Sequence, residues 1–473
     1  MVTKNITKTD LCVIGAGSGG LSVAAGAVQM GARVVLIEKH KMGGDCLNTG
    51  CVPSKALLAA AKHADILRHG APYGVKPVEP EIDFAAANAH VHRVIKGIEP
   101  HDSVERFTEL GVDVIEAAAK FTGPAEVSAG GRIIHAKKFI IATGSTARIV
   151  PIPGIEETEY LTNENIFDLR ECPAHLIIVG GGPIGIEMAQ AHKRLGAQVT
   201  VLEKFTALPK DDPELTRIAL ASLREEGINI LEGVDIQSVS GTTGDITITL
   251  ADGKTITGSH LLLATGRSPN ITGLGLEAAG VHSNQHGIQV DARLRTSNKR
   301  IFAIGDVKGG MMFTHAAGYD AGIIIRNILF KMPAKADYSC MPYVTYSEPE
   351  LAQVGYTEAA AKEKFGETVK AITWQYAEND RARTELLTNG MIKVVIDRKG
   401  KILGAGIVGT SAGELIQTWQ LALSKGMKIG DMAAMIAPYP TLAEISKRVA
   451  GSHFTPALFS DRTRKIVKFL LKF

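Results

Sequence analysis

The chain has 473 residues, of which 45% are hydrophobic and 21% charged, enough for several cores and, at about 150 residues per domain, about three domains. Its 52 basic and 49 acidic residues leave a net charge of +3, too balanced to suggest nucleic acid or another polyanionic partner. The polar start MVTKNITKTD has no apolar signal core, no run reaches about 18 uncharged apolar residues, and five cysteines make no disulfide framework, so a cytoplasmic protein without a membrane span is expected.

From residue 11, LCVIGAGSGG reads as a buried strand that turns through glycines into a helix, and RVVLIEK reads as the next strand, ending on Glu38. Gly15, Gly17 and Gly20 let backbone amides approach a pyrophosphate at the helix N-terminus, and Glu38 accepts from ribose hydroxyls. Strand, helix and acid in one βαβ unit predict a dinucleotide site.

The segment KMGGDCLNTGCVPSK comes next, at 41–55. Its cysteines, Cys46 and Cys51, are five residues apart. On a regular helix that spacing separates the Cα atoms by about 8.6 Å, beyond the roughly 7 Å limit of a disulfide. A bonded pair therefore needs Cys46 ahead of the regular helix, or a distorted first turn. Gly50 permits a tight backbone, Pro53 suits a first helical turn, and Cys51 then lies at a helix N-terminus, whose dipole lowers a thiol pKa. The reading is a stabilised Cys51 thiolate and a Cys46 that reaches outward for exchange. Two buried structural cysteines are the competing reading, disfavoured by the flanking GG and PSK.

A strand FIIATGS (139–145) and a proline-bearing linker ARIVPIPG lead to a second copy of the pattern, LIIVGGGPIG, a helical run and QVTVLEK. Gly15 to Glu38 and Gly180 to Glu203 both span 23 residues, so two nucleotide domains of one design are expected. Gly180, Gly182 and Gly185 take the loop positions. Glu203 would bond a 2′-hydroxyl and repel a 2′-phosphate, which favours NADH over NADPH, although Lys204 stands directly after it. LLLATGR (261–267) closes the second region as FIIATGS closes the first, and RIFAIGD (300–306) extends the first. Two dinucleotides suit two jobs, a resident FAD that stores two electrons and a hydride carrier that docks and leaves. The parse is an FAD-binding domain at 1–150 and 271–345, an NAD(P)-binding domain at 151–270, and an α+β dimerisation domain at 346–473 without a phosphate loop.

The string GGDCLNTGCVPSK resembles the signature of the class I pyridine nucleotide-disulfide oxidoreductases, among them dihydrolipoamide dehydrogenase, glutathione reductase and mercuric reductase. The resemblance continues through GAGSGG, GGGPIGIE, both ATG runs, FAIGD and YSEPELAQVGYTE at 346–358. It implies an α/β fold of two Rossmann-like dinucleotide-binding domains, for FAD and NAD, plus the C-terminal α+β domain, and a homodimer whose second subunit completes the site. It implies Cys46 as the interchange thiol, Cys51 as the charge-transfer thiol against the flavin, and Lys55 near the flavin, paired with Glu187. Asp306 would bind the ribityl chain, Thr143, Gly144 and the Gly15 loop would line the FAD site, and Lys39, Gly44 and Gly266 complete the implied cofactor-binding set.

In the lipoamide and glutathione enzymes the dimer domain carries His-Pro-Thr and, a few residues on, a Glu. Here 437–444 read APYPTLAE, so Pro440, Thr441 and Glu444 match and Tyr439 stands in place of the His. With a reference pKa of ~10, about one phenol in a thousand is ionised near pH 7, and Tyr439 is a poor general base. Mercuric reductases resemble the chain here and at ENDRA (378–382). A metal ion held transiently by Cys46 and Cys51 needs no protonated thiol leaving group, and no resident metal is expected. Against that branch, no cysteine comes after Cys340, an N-terminal metal-binding domain is not expected, and Glu203 favours NADH. The expectation is a mercuric-reductase-like enzyme passing electrons from NADH through FAD to the Cys46–Cys51 disulfide and on to a small disulfide or a thiophilic metal ion. The alternatives are a dihydrolipoamide dehydrogenase oxidising a dithiol with NAD, and a low-turnover redox-sensing flavoprotein. The tail RTRKIVKFLLKF is basic and amphipathic, and reads as a solvated terminal helix or as a contact to an anionic membrane or acidic partner.

Overall fold

The computed structural model describes residues 5–473, in two compact units. The first takes the residues up to Gly180 together with Ala191–Leu202 and Val234–Asp337; the second takes Gly181–Gln190, Glu203–Gly233 and Tyr338–Phe473.

The first unit is organised by the strand Asn5–Ile14, whose apolar second half is buried on both faces, as a strand covered on two sides requires. Val34–Glu38 and Arg132–Ile141 run parallel to it on either side, with Leu11 opposite Val34 and Leu11 opposite Lys138. The seven-stranded sheet runs Asp113–Glu116, Val34–Glu38, Asn5–Ile14, Arg132–Ile141, Glu126–Ala129, Lys120–Gly123, and Ile301–Ala303 pairs with the end of Arg132–Ile141. Alternation divides its side chains between two cores. Cys12, Ile14, Val35 and Ile37 join Phe121 and Phe139 on one face. Leu11, Val13, Val34 and Leu36 join Ala24 and Ala27 of the crossover helix Ser18–Gln29 on the other. The second βαβ copy has the same pairing: residues 175–179 run parallel to 198–202 and to 260–263.

The second unit holds a five-stranded antiparallel sheet in the order Tyr343–Thr345, Glu350–Gly355, Ile402–Gly409, Met391–Ile396, Lys370–Gln375. The helices Ala412–Ser424 and Glu444–Ser452 share its core around the fully buried Trp419, whose indole N–H donates to Ser446 Oγ at 3.0 Å. Expected and observed fold class agree, a mixed α/β chain with nucleotide-binding βαβ units and a C-terminal α+β region. Among the described residues no helix is long and apolar enough to cross a membrane.

Candidate active site

The spacing problem posed by the two cysteines is solved by a break in the backbone. Cys46 belongs to a short helix, Gly44–Asn48, and Cys51 opens a separate long one, Cys51–Arg68, with Thr49 and Gly50 between them. Glycine is required at 50 by close approach, because a Cβ there would lie 2.9 Å from the backbone oxygen of Asp45. The break is tied down locally by the Asn48 amide, which donates to Met42 O at 3.0 Å and to Gly44 O at 2.8 Å. Distant residues fix it as well. Asn163 donates to Asp45 Oδ1 at 2.7 Å and to Thr49 O at 3.1 Å, and the Arg267 guanidinium lies 3.2 Å from Asp45.

Both thiols are free in the structure and interact with each other. The hydrogen bond from Cys46 draws the Cys51 thiol down to about 6, with help from the Thr314 hydroxyl, whose Oγ1 is 3.3 Å from Cys51 Sγ, and from the charge of Lys55, against the effect of burial. Cys46 is pushed well above the ordinary thiol range, because it supplies that hydrogen bond and is itself desolvated. One proton is thus shared by the pair and resides on Cys46. Cys46 is half-buried. Its short helix brings Cys46 within hydrogen-bonding reach of Ser18 and Thr314.

Two glycine loops flank the nucleotide-type strands. At Gly15 (φ +103°) a Cβ would lie 2.3 Å from Ala142 O, and at Gly180 (φ +114°) 2.4 Å from Ala264 O, so neither position admits a side chain. Gly20 and Gly185 are buried in the helices that begin there. Glu38 accepts from Ala16 N (2.6 Å) and His40 N (2.9 Å); Glu203 accepts from Gly181 N (2.7 Å) and Phe205 N (2.9 Å). Neither helix-start glycine is crowded at its own Cβ position. A Cβ on Gly17 would come no nearer than 3.9 Å to another part of the chain, and one on Gly182 would meet nothing within 4 Å. Helix-start amides beside a carboxylate, at glycines with no Cβ neighbour nearer than 3.9 Å, are the donor set that a pyrophosphate and a ribose require, so the residues fit a dinucleotide at each loop.

The remaining expected residues fall into three groups. Asp306 accepts from Ser145 Oγ at 2.6 Å and lies 3.8 Å from Arg267, while burial pushes its carboxyl up. Near that pair, Thr143 donates to Asn270 O at 2.8 Å and Gly144 is left-handed with nothing within 4 Å of a Cβ. Lys39 is exposed, and Gly266 lies against the Arg148 guanidinium. Lys55 donates to Ser54 Oγ at 3.3 Å in the first unit, whereas Glu187 is buried in the second and accepts from Tyr346 N at 3.0 Å. Tyr439, also in the second unit, is 69% exposed and donates to Asp380 Oδ2 at 3.3 Å, and that carboxylate raises the phenol pKa. Glu444 pairs with Arg448 at 3.3 Å.

With this geometry, residues 9–321 match the family described as pyridine nucleotide-disulphide oxidoreductase, and residues 341–450 match its dimerisation domain. The chain belongs to the pyridine nucleotide-disulphide oxidoreductase family. As members of this family are, it is a flavoprotein oxidoreductase with a redox disulfide and a dimerisation domain. It is 35% identical over 447 residues to a mercuric reductase of Lysinibacillus sphaericus, covering 93% of this chain and 82% of that one. It is 34% identical to a dihydrolipoyl dehydrogenase of Geobacillus stearothermophilus, covering 94% and 96%. Among solved structures it is similar to the Cu(II) complex of the HOCl-induced flavoprotein disulfide reductase RclA from Escherichia coli, with a TM-score of 0.85 at 28% identity, covering 94% of this chain and 99% of that one.

Sequence reasoning missed Asp45, Asn163, Arg267 and Thr314. Their signal was weak, because each is an ordinary polar residue whose partner lies far along the chain, 118 residues away for Asn163 and 263 for Thr314.

Proposed function

We propose that the protein is a homodimeric FAD enzyme that takes electrons from NADH into the Cys46–Cys51 disulfide and uses the dithiol to reduce a small disulfide or a thiophilic metal ion. The observation that carries this reading is the asymmetric thiol pair, with a Cys51 held near 6 at a helix start and its proton on Cys46. When bound, FAD supplies two-electron transfer between a nicotinamide and a disulfide. The Gly15 loop, Gly17, Glu38, Lys39, Gly44, Thr143, Gly144 and Asp306 would hold it, and Gly180, Gly182, Gly185, Glu203 and Gly266 would hold the nicotinamide dinucleotide. Lys55 would serve the FAD site and Glu187 would follow the second glycine loop, in a parse of 1–150 and 271–345 for FAD, 151–270 for NAD and 346–473 for the dimer domain.

The chemistry beyond the sulfurs depends on where the proton is. Toward a disulfide, Cys46 attacks one sulfur, its proton leaves with the departing thiol, and a mixed disulfide forms. Cys51, already a thiolate, then displaces the second thiol, which takes a proton from water, and the Cys46–Cys51 bond re-forms. Toward a soft metal ion, both sulfurs bind, the Cys46 proton passes to water, and two electrons pass from the sulfurs to the metal, to one ion or one each to two, as the Cys46–Cys51 bond re-forms. The second route asks nothing of residue 439. A phenol hydrogen-bonded to Asp380 is a poor base, which favours the metal or a readily reduced disulfide over dihydrolipoamide oxidation. The similar RclA structure is a Cu(II) complex, which supports including a metal among the acceptors. Free Cys12, Cys172 and Cys340 suit a reducing compartment, consistent with a cytoplasmic enzyme.

The test is anaerobic titration with NADH, and then an acceptor panel of lipoamide, glutathione disulfide, Hg(II) and Cu(II). NADH should yield a long-wavelength thiolate–flavin band, and at least one of the last three acceptors should discharge it faster than lipoamide does. Rapid turnover of dihydrolipoamide with NAD, and none with the panel, would overturn the preference. Slow reduction by NADH with no acceptor would point to the redox-sensing alternative.

A further inference from the structure

The last helix of the chain, Asp461–Leu470, is capped and regular, yet none of its residues is buried. Ser460 accepts from Thr463 N at 3.3 Å to start it, and Leu471 N donates to Val467 O at 3.0 Å to continue the turn. Projected at about 100° per residue, Phe469, Phe473, Ile466, Leu470, Val467 and Leu471 fall on one arc of about 200°, shared only with Arg462 and Thr463 of the first turn. Arg464, Lys465, Lys468 and Lys472 gather on the opposite arc. The apolar side chains face water: Phe469 is 59% exposed, Leu471 80% and Phe473 96%. An exposed apolar band of this size marks a surface that is covered by something else.

We propose that this helix lays the protein on an anionic membrane surface, with the apolar arc in the acyl boundary and the basic arc among the headgroups. Charge selects this occupant. Five cations, Arg462, Arg464, Lys465, Lys468 and Lys472, face the single acid Asp461 over 461–473, which complements an anionic bilayer and repels a second copy of the same helix. The match to the dimerisation domain ends at residue 450, ahead of this helix. Ten residues rise about 15 Å, half the hydrocarbon thickness, so the helix lies in the interface and does not span. A broad apolar arc bordered by cations is the arrangement of an interfacial helix.

Flotation of the FAD-loaded full chain with vesicles decides it. Vesicles of phosphatidylcholine mixed with phosphatidylglycerol should carry the protein, and phosphatidylcholine alone should carry little. Raising the salt to about 1 M, where the Debye length is about 3 Å, should release most of it. Lys465→Gln with Lys468→Gln should weaken partitioning roughly 30-fold, and Phe469→Ser with Leu470→Ser should abolish it. Truncation after Ser460 should abolish flotation while FAD content, NADH reduction and dimer mass stay unchanged. No preference for anionic vesicles, or flotation that survives truncation, overturns the proposal. A truncated protein that sediments as a monomer also overturns it and assigns the face to a second copy, and a helix retained only by an added acidic protein assigns it to such a partner.

Discussion

The two glycine loops are built from the same parts, and the chain leaves them in different ways. In each, the acid at the end of the strand accepts from an amide inside the loop and from the amide two residues beyond itself. In each, the residue five past the acid is left-handed and donates back to the loop, Gly43 N to Ala16 O and Leu208 N to Gly181 O, both at 3.0 Å. The copies part at the next residue. Gly44 is left-handed, a Cβ on it would lie 2.7 Å from Gly17 Cα, and the chain runs straight into Cys46 and Cys51. Pro209 takes the corresponding place in the second copy, and Gly182 stays clear. The first loop is approached at Gly17 by the segment that carries the sulfurs, whereas the second is approached at Gly181 by Ala207, 2.9 Å from where a Cβ would lie, and Gly182 meets nothing. That contrast suits a cofactor that stays beside the thiols and a carrier that comes and goes.

The harshest test of the first loop's role is Cys51→Ser, which should cut acceptor reduction by about 10³-fold or more and remove the long-wavelength band on NADH addition. In the unaltered protein the band should fade as pH falls through about 6, where Cys51 takes up a proton. The sign comes from a folded value below the ordinary thiol value of 9.0: the stabilisation is complete above 9.0 and is lost as pH falls through about 6. A band that survives Cys51→Ser means that another sulfur faces the flavin.

Next in size is a matched pair of glycine substitutions. Gly44→Ala places a Cβ against Gly17 in a left-handed backbone and should destabilise the fold by about 2 kcal/mol or more, with loss of bound FAD. Gly182→Ala meets no neighbour, so melting should be unchanged within about 0.5 kcal/mol while the KM for NADH rises several-fold. FAD-to-protein ratios, melting curves and steady-state kinetics check both. Equal FAD loss in the two variants would erase the proposed distinction between the loops.

Tyr439→His reaches the step beyond the sulfurs. If a missing base is what limits dithiol oxidation, dihydrolipoamide turnover with NAD should rise by about tenfold or more, since general-base catalysis is worth about 10²–10⁴. Steady-state assays across pH 6–9 read it, and an unchanged rate refutes the missing-base explanation.

The features legible in the sequence were the local and the periodic ones. The βαβ copies are announced by buried apolar runs and 23-residue spacing, and the break at Gly50 by the reach of a disulfide against the rise of a helix. The hidden features depend on long-range packing. Asn163 and Arg267 hold Asp45 from afar, and Thr314 reaches Cys51 from another helix start. The orientation of Cys46 also rests on residues distant in sequence, Ser18 and Thr314. Asp380 lies in the ENDRA run, but its bond to Tyr439 crosses 59 residues and had no pattern to announce it.

The smallest expected effect is also the finest comparison of the loops, Glu203→Gln against Glu38→Gln. Each carboxylate accepts two amides, one per oxygen. A glutamine keeps one acceptor and turns an N–H toward the other amide, at a local cost of about 1 kcal/mol. At Glu203 the change also removes the charge that repels a 2′-phosphate and leaves Lys204 beside it, so the ratio of kcat/KM for NADPH to that for NADH should rise about fivefold. At Glu38 the same change should leave coenzyme preference alone and lower FAD retention. Assays with both coenzymes and FAD titrations separate the outcomes. A coenzyme shift from Glu38→Gln, or none from Glu203→Gln, would mean that the two acids do not divide the cofactors as their surroundings suggest.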